Sequence, residues 1–234
     1  MQLFYNPDIT AITEDIFFDK EESRHIVKVL RKSEGDLLEI TNGKGLLFKA
    51  KIVQTDIKKC IASVIKKELK PKKNYRIHLA VAPTKLNDRF EWFLEKSTEI
   101  GVDEITPIIC DHSERKIIKA ERYHKIIQSA MKQSLQCYLP KLNELISFNE
   151  FIHSEIAGQR FIAHCEDQKK SSLKEMLVPN QDVTLLIGPE GDFSVKEIQM
   201  ALNTKFIPVT LGDTRLRTET AAIVGCHSIV FINE

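Results

Sequence analysis

No C-x-x-C pair occurs among the five cysteines, Cys60, Cys110, Cys137, Cys165 and Cys226, and their number is odd. That pattern argues against a disulfide framework or a zinc knuckle and fits a reducing cytoplasm. Metal-ligand spacing is missing as well from His78, His124, His153 and His227, so no metal is expected. Long hydrophobic runs are lacking. The most apolar tract, Ala221 to Ile232, is interrupted by Gly225, His227 and Ser228 and falls short of the ~20 residues of a spanning helix. The start, Met1-Gln2-Leu3-Phe4-Tyr5-Asn6-Pro7, has no basic region followed by an apolar stretch, so no secretory signal is expected. No strand is followed by G-x-G-x-x-G with an acidic residue about 20 positions later, which disfavours a dinucleotide-dependent oxidoreductase. What remains is a chain of 234 residues, 42% hydrophobic and 29% charged, able to bury a sizeable core as one large domain or two smaller ones.

The net charge of +1 hides a segregation. Residues 1–57 carry 8 basic and 10 acidic side chains, residues 58–141 carry 18 and 10, and residues 142–234 carry 8 and 13. A basic middle in a near-neutral protein suits a localised surface for a polyanion, because phosphate contacts need clustered Lys and Arg. A solvated face of lysines gives the same count.

Up to about Leu69 the pattern is of short strands: Leu37 to Thr41, the turn Asn42-Gly43-Lys44-Gly45, Leu46 to Val53, and Cys60 to Glu68. Asn-Gly between apolar runs is a strong hairpin signal. A helix over Glu22 to Leu30, with Ile26, Val27 and Leu30 as its apolar stripe, interrupts them. The reading is a small β-barrel over 1–69, with Lys70-Pro71-Lys72-Lys73-Asn74 as a basic linker. From residue 75 to 234 apolar strands alternate with helices, an α/β domain. Strands are predicted at Ile77 to Ala82, Glu104 to Ile109, Phe161 to His164, Val183 to Ile187 and Phe206 to Leu211. Helices are predicted at Asp88 to Ile100, Arg122 to Ser134, Ser194 to Leu202 and Thr218 to Phe231. The strands lack polar alternation, which suits a parallel sheet covered on both faces.

Two loops each follow a buried strand and open a helix, the position where open α/β sheets bind ligands. In Ile187-Gly188-Pro189-Glu190-Gly191-Asp192-Phe193-Ser194, the glycines permit close backbone approach, and Ser194 with Glu197 forms a capping box. An ordinary strand-to-helix turn would look the same. The second loop, Leu211-Gly212-Asp213-Thr214-Arg215-Leu216-Arg217-Thr218-Glu219-Thr220-Ala221, places two guanidinium groups at the carboxyl end of a strand, which suits an anionic or electron-rich ligand. Its Thr-Glu-Thr run also reads as a plain helix start.

Together these loops resemble the knotted SPOUT class of methyltransferases, specifically the RsmE family of 16S ribosomal RNA uridine-N3 methyltransferases. The most specific matches are Gly188-Pro189-Glu190-Gly191 and Leu216-Arg217-Thr218-Glu219-Thr220-Ala221, supported by His25, Val29-Leu30-Arg31, Gly35-Asp36, Lys85, Arg89, Glu91, Lys96, Glu99, Gly101-Val102, Ser113-Glu114-Arg115, Gln133-Ser134 and Pro140. The resemblance implies a PUA-like β-barrel, then an α/β domain with a trefoil knot, a homodimer, and S-adenosyl-L-methionine as cofactor. It places Ile187, Gly188, Pro189, Glu190 and Gly191 on one side of the cofactor. Leu211, Gly212, Leu216, Thr218, Glu219 and Ala221 lie on the other, with His164 and Glu166 in a third loop. Family members commonly have a second glycine where this chain has Asp192, and an arginine where it has Gln136.

The implied reaction methylates a uridine N3 of 16S ribosomal RNA or the small ribosomal subunit. That nitrogen must be unpaired or turned out of its stack and must lose its proton. Arg217, at the opening of the last helix, is the first choice for stabilising the resulting charge, with Glu114 and Arg115 as further candidates. A salt bridge from Arg217 to Glu190 or Glu219 is the bland alternative. Arg24, Arg31, Lys72, Lys73, Lys85, Arg89 and Arg122 are expected against RNA, with Lys66, Lys67 and Lys70 of the basic stretch. Lys85 and Arg89 sit near a helix amino terminus, where cations oppose the macrodipole unless a phosphate offsets them. Action on transfer RNA or on another position, or a non-catalytic RNA-binding role on the same fold, fits these residues too.

Overall fold

Hydrophobic patterning divides the chain into two core-forming regions, and the computed structural model, which describes residues 2–166 and 170–234, shows a separate core for each. Met1, the first residue of the amino-terminal stretch read above, lies outside the described residues. One compact unit comprises Met1–Lys72 with Met131–Leu139, the other Lys73–Ala130 with Pro140–Glu234.

In the first unit β1 (Leu3–Tyr5) and β2 (Asp15–Phe17) precede α1 (Lys20–Arg24), and β3 (Leu37–Thr41), β4 (Leu46–Gln54) and β5 (Ile61–Leu69) follow. They form one sheet in the order β1-β3-β4-β5-β2. Asn42 fixes the β3–β4 turn because its buried side-chain oxygen accepts the N–H groups of Lys44 (2.9 Å) and Leu46 (3.2 Å). The predicted helix over 22–30 begins earlier, where Asp19 accepts the Glu22 N–H at 2.8 Å, and it continues past Arg24 as a π-helical turn, His25–Val29. Ile26, Val27 and Leu30 still face the core, so the stripe was read correctly while the extra backbone bulge was invisible to a 3.6-residue period.

Residues 131–139, which the helical pattern assigns to the second domain, belong with the first unit. Cys137 O accepts the Gly45 N–H (2.9 Å) and the Thr41 hydroxyl (3.2 Å), and the Tyr138 hydroxyl donates to Lys70 O (2.8 Å). Local periodicity cannot report such a return.

The second unit runs β6 (Ile77–Val81), α2 (Asn87–Ile100), β7 (Glu104–Ile109), α3 (Ala120–Gln133, its end shared with the first unit), β8 (Lys141–Leu142), β9 (Ile146–Ser147), α4 (Phe148–Ile152), β10 (Gln159–Ala163), β11 (Ser171–Ser172), α5 (Leu173–Met176), β12 (Val183–Ile187), α6 (Val195–Asn203), β13 (Ile207–Thr210) and α7 (Thr218–Asn233). Its sheet is parallel, in the order β11-β13-β10-β12-β6-β7-β8. All five residues of β12 are buried, as a strand covered on both faces requires. In α2 the buried side chains are Phe90, Phe93, Leu94, Ser97 and Thr98, whereas Trp92 is exposed. Helix α7 packs on α2, β6 and β12, and Gly225 lets it approach Leu185, whose side chain occupies the space a Cβ would need. Among the described residues no helix is long and apolar enough to cross a membrane, and no group of three or more His, Cys, Asp or Glu could hold a metal ion.

Candidate functional site

Strands β10, β12 and β13 are neighbours, and their carboxyl ends deliver three loops to one edge of the sheet. Between these loops lies a cavity of about 610 Å³, lined by His164, Cys165, Glu166 and Lys170 after β10, Gly191 and Asp192 after β12, and Leu211, Gly212, Asp213, Thr214, Arg215 and Leu216 after β13, with Ala221 of α7. A second cavity of about 310 Å³ shares Cys165, Asp192, Arg215, Leu216 and Ala221 and adds Ile187, Gly188, Pro189, Glu190, Arg217 and Thr218. Gly212 adopts φ +133°, a conformation that disfavours any side chain.

The loops are tied by hydrogen bonds. Thr218 donates from Oγ1 to Gly188 O (3.1 Å), joining the second loop to the first, while Arg217 is the residue that precedes α7 without a side-chain cap. The capping box at α6 is present as predicted: Ser194 Oγ accepts the Glu197 N–H (3.2 Å) and Glu197 Oε2 accepts the Ser194 N–H (2.9 Å). Glu197 is buried, and its other oxygen accepts the Asp111 N–H (2.9 Å).

Polar groups left idle mark the cavities. His164 is buried, and among the described residues neither of its ring nitrogens has a partner. Burial, reinforced by the nearby Lys170 ammonium, lowers its pKa and keeps the ring neutral. Arg215 and Arg217 are exposed, and among the described residues neither side chain has an ion-pair or hydrogen-bond partner. The bridge from Arg217 to Glu190 or Glu219 is not made: Glu190 Oε1 accepts the Lys85 N–H (2.9 Å), and Glu219 faces Arg89 Nε at 3.8 Å.

Other expected site residues stand elsewhere. Glu219 lines neither cavity; it is buried beside Arg89, with Oε2 unpartnered among the described residues. Glu114 and Arg115 also stand outside both cavity walls. Arg115 donates to Thr84 O (2.9 Å) and Lys85 O (2.7 Å), and Glu114 pairs with Lys85 Nζ at 2.8 Å, so the two brace the segment before α2. Glu114 and Glu219 thus offset part of the cost of cations at that helix start. Arg122 makes a bidentate pair with Glu91 (2.5 and 2.7 Å). Lys73 pairs with Asp103 (3.0 Å), Lys70 with Glu68 (2.5 Å), and Lys67 donates to Ala11 O (2.9 Å). Arg24, Arg31 and Lys72 are exposed without a side-chain partner among the described residues. The family resemblance places Cys165 with His164 and Glu166 in the third loop, and it lines the cavity, whereas sequence reasoning did not assign Lys170 to it. Lys170 Nζ donates to His164 O (2.6 Å) and Glu166 O (2.7 Å), a loop closure with no local signature.

A family model described as an RNA methyltransferase domain matches residues 71–230, and an RNA methyltransferase PUA domain matches residues 18–65. The chain is 34% identical over 235 residues to the ribosomal RNA small subunit methyltransferase E of Buchnera aphidicola, covering 96% of this chain and 91% of that protein. Among solved structures, a Porphyromonas gingivalis chain described as a probable rRNA-methyltransferase superposes with a TM-score of 0.92 at 43% identity, over 100% of this chain and 98% of that one. The ribosomal RNA small subunit methyltransferase E of Neisseria gonorrhoeae, solved with S-adenosylmethionine bound, superposes with a TM-score of 0.87 at 26% identity, over 100% and 98%.

Proposed function

The chain belongs to the ribosomal RNA small subunit methyltransferase E family, and from that premise we propose that it methylates N3 of a uridine in 16S ribosomal RNA. The methyl group comes from S-adenosylmethionine, a sulfonium that needs little electrophilic help. The observation that carries this reading is the pair of unpartnered guanidinium groups, Arg215 and Arg217, beside a cavity whose wall holds a neutral, unpartnered His164.

The cavity suits the cofactor on chemical grounds. His164 offers an unspent ring nitrogen in a dry wall, Gly188 and Gly191 bring backbone close, and the third loop closes the far side. Ile187, Leu211 and Leu216 supply apolar contact. Arg217 stands where α7 opens, so its charge and the helix dipole act together on an anion. Its role is to stabilise the imidate left when N3 loses its proton. Alignment does the rest, which gives the ties between the loops a catalytic purpose.

Arg24, Arg31 and Lys72 hold RNA backbone through the free cations of the first unit, and sequence is read from shape and the extruded base. The working form is a cytoplasmic homodimer with the small ribosomal subunit as partner. Support for the dimer is an apolar α7 that leaves Phe231 66% exposed, with Trp92 46% exposed on α2. The knot that the family resemblance implies would hold the loop after β13 in a fixed position.

The test is methyl transfer from labelled S-adenosylmethionine to small subunits lacking the modification, with the product base identified by mass. N3-methyluridine is expected. Transfer to another atom or to transfer RNA alone would refute the stated substrate, and no cofactor binding would refute the activity.

A further inference from the structure

We propose that Asp192 is a positioning residue that ties the loop after β10 to the loop after β12 and thereby sets the shape of the cofactor cavity; the cofactor half of this rests on the function proposed above. Asp192 adopts φ 64°, in the left-handed region that a side chain disfavours. Asp is among the few residues that enter this region readily, because its short polar side chain bonds locally. Here it does so: Oδ1 accepts the Phe193 N–H at 2.8 Å. The second oxygen reaches across the site, where Oδ2 accepts the Cys165 N–H at 2.6 Å, 27 residues away in sequence.

The backbone of the same residue is held from two further sides. Its N–H donates to Pro189 O (2.9 Å), and its carbonyl faces His112 Nδ1 at 3.1 Å, beside Gly191 O at 3.0 Å. A residue so fixed is an anchor, and the carboxylate passes that fixity to Cys165. The only other side-chain bonds to the backbone of 164–166 among the described residues come from Lys170, which grips the carbonyls of His164 and Glu166. Lys170 follows these residues in the chain and closes the loop on itself, whereas Asp192 connects it to a different strand. Both cavities include Cys165 and Asp192 in their walls, so the bond between them spans the boundary the two cavities share. A glycine at 192 offers no acceptor, so the tie is a property of this chain's own residue. Its benefit is pre-organisation: a loop already held in place loses less freedom when a ligand binds.

The experiment uses Asp192→Gly, which suits φ 64° and removes both acceptors, and Asp192→Asn, which keeps the shape and one acceptor. Cys165 is exposed while Cys60, Cys110, Cys137 and Cys226 are buried, so alkylation by iodoacetamide without cofactor reports on this loop. Asp192→Gly should alkylate about tenfold faster and bind S-adenosylmethionine about tenfold more weakly by calorimetry, the effect of losing a charge-assisted hydrogen bond. Asp192→Asn should fall between it and the parent, and KM for RNA should stay unchanged in both. Alkylation within twofold of the parent in both variants would overturn the tie. Faster alkylation with unaltered cofactor affinity would overturn the cavity-shaping role. A parent chain that binds no S-adenosylmethionine would overturn the proposed function and that role together, while the alkylation rates would still decide the tie.

Discussion

The two ends of the parallel sheet treat polar groups in opposite ways. At the amino ends of β6, β7 and β12 several polar side chains pair with one another at the wall of a cavity of about 210 Å³, which exposed Glu144 and Glu155 also line. Asn143 Nδ2 donates to Glu104 Oε1 (2.6 Å) and Thr106 Oγ1 (2.7 Å), the Thr106 hydroxyl meets His78 Nε2 (2.7 Å), and Arg76 pairs with the buried Glu104 while its N–H donates to Asp182 Oδ1 (2.9 Å). At the carboxyl ends Arg215, Arg217 and His164 lack partners in the described chain. A buried polar group left unsatisfied, as His164 is, costs stability and so persists where a ligand completes it, whereas Arg215 and Arg217 are exposed and hydrated and stand free to meet one. In the function proposed above, the lower end serves stability and the upper end serves chemistry.

The sharpest way to break that contrast is Arg217→Ala. Turnover should fall about 10²–10³-fold, the cost of one preorganised donor to a developing anion, while S-adenosylmethionine affinity moves by less than about threefold. Single-turnover methylation beside calorimetry separates the two, and full turnover would remove Arg217 from the chemistry. Next is Glu104→Ala, which removes a buried carboxylate from Arg76 and Asn143 and should cost about 1–2 kcal/mol in urea unfolding, since the Arg76 side chain left behind is 43% exposed and hydrates. Turnover per folded molecule should stay at the parent level, because Glu104 lies at the other end of the sheet. A loss of turnover with unchanged stability would invert the assignment.

How much of this contrast was legible in the sequence depended on range. Strands β7 and β12 were read to the residue, because continuous β-branched and leucine runs need no partner to be recognised. The Ser194–Glu197 box was equally plain, its parts being three residues apart. The strands of two and three residues, β1, β2, β8, β9 and β11, are too short to show a period. What the sequence did not show was pairing across the fold: Lys85, Arg89 and Arg122, expected against RNA, are met by Glu114, Glu219 and Glu91 from other elements. Charge counting finds a basic segment and cannot find its counter-charges. The Asp192–Cys165 bond was hidden for the same reason, since only the sheet order brings those loops together.

Acid sharpens the contrast from the lower end. His78 is pushed down to about 3 by burial, then by Arg76 and Lys141. Its ordinary value is 6.5, so the unfolded chain takes up a proton there that the folded one refuses. The stability this confers is complete above pH 6.5 and is lost as pH falls from there toward 3. The slope from this group is at most about 1.4 kcal/mol per pH unit. Urea midpoints at pH 7 and pH 5 should therefore differ, and His78→Asn should shrink the difference; an unchanged difference would show that His78 is not buried neutral.

The smallest effect is expected in the first unit. Lys72 has no partner among the described residues, whereas Lys70 and Lys73 on either side are paired with carboxylates. If free cations mark ligand contacts in this unit, as proposed for the upper end of the sheet, Lys72→Ala should lower the magnitude of the slope of log affinity for RNA against log salt by about 1. Lys73→Ala should leave that slope alone, because its ammonium is already neutralised by Asp103 at 3.0 Å. Equal slopes for the two variants would mean that a lysine's position along the basic stretch, not its freedom from carboxylates, decides whether it meets phosphate.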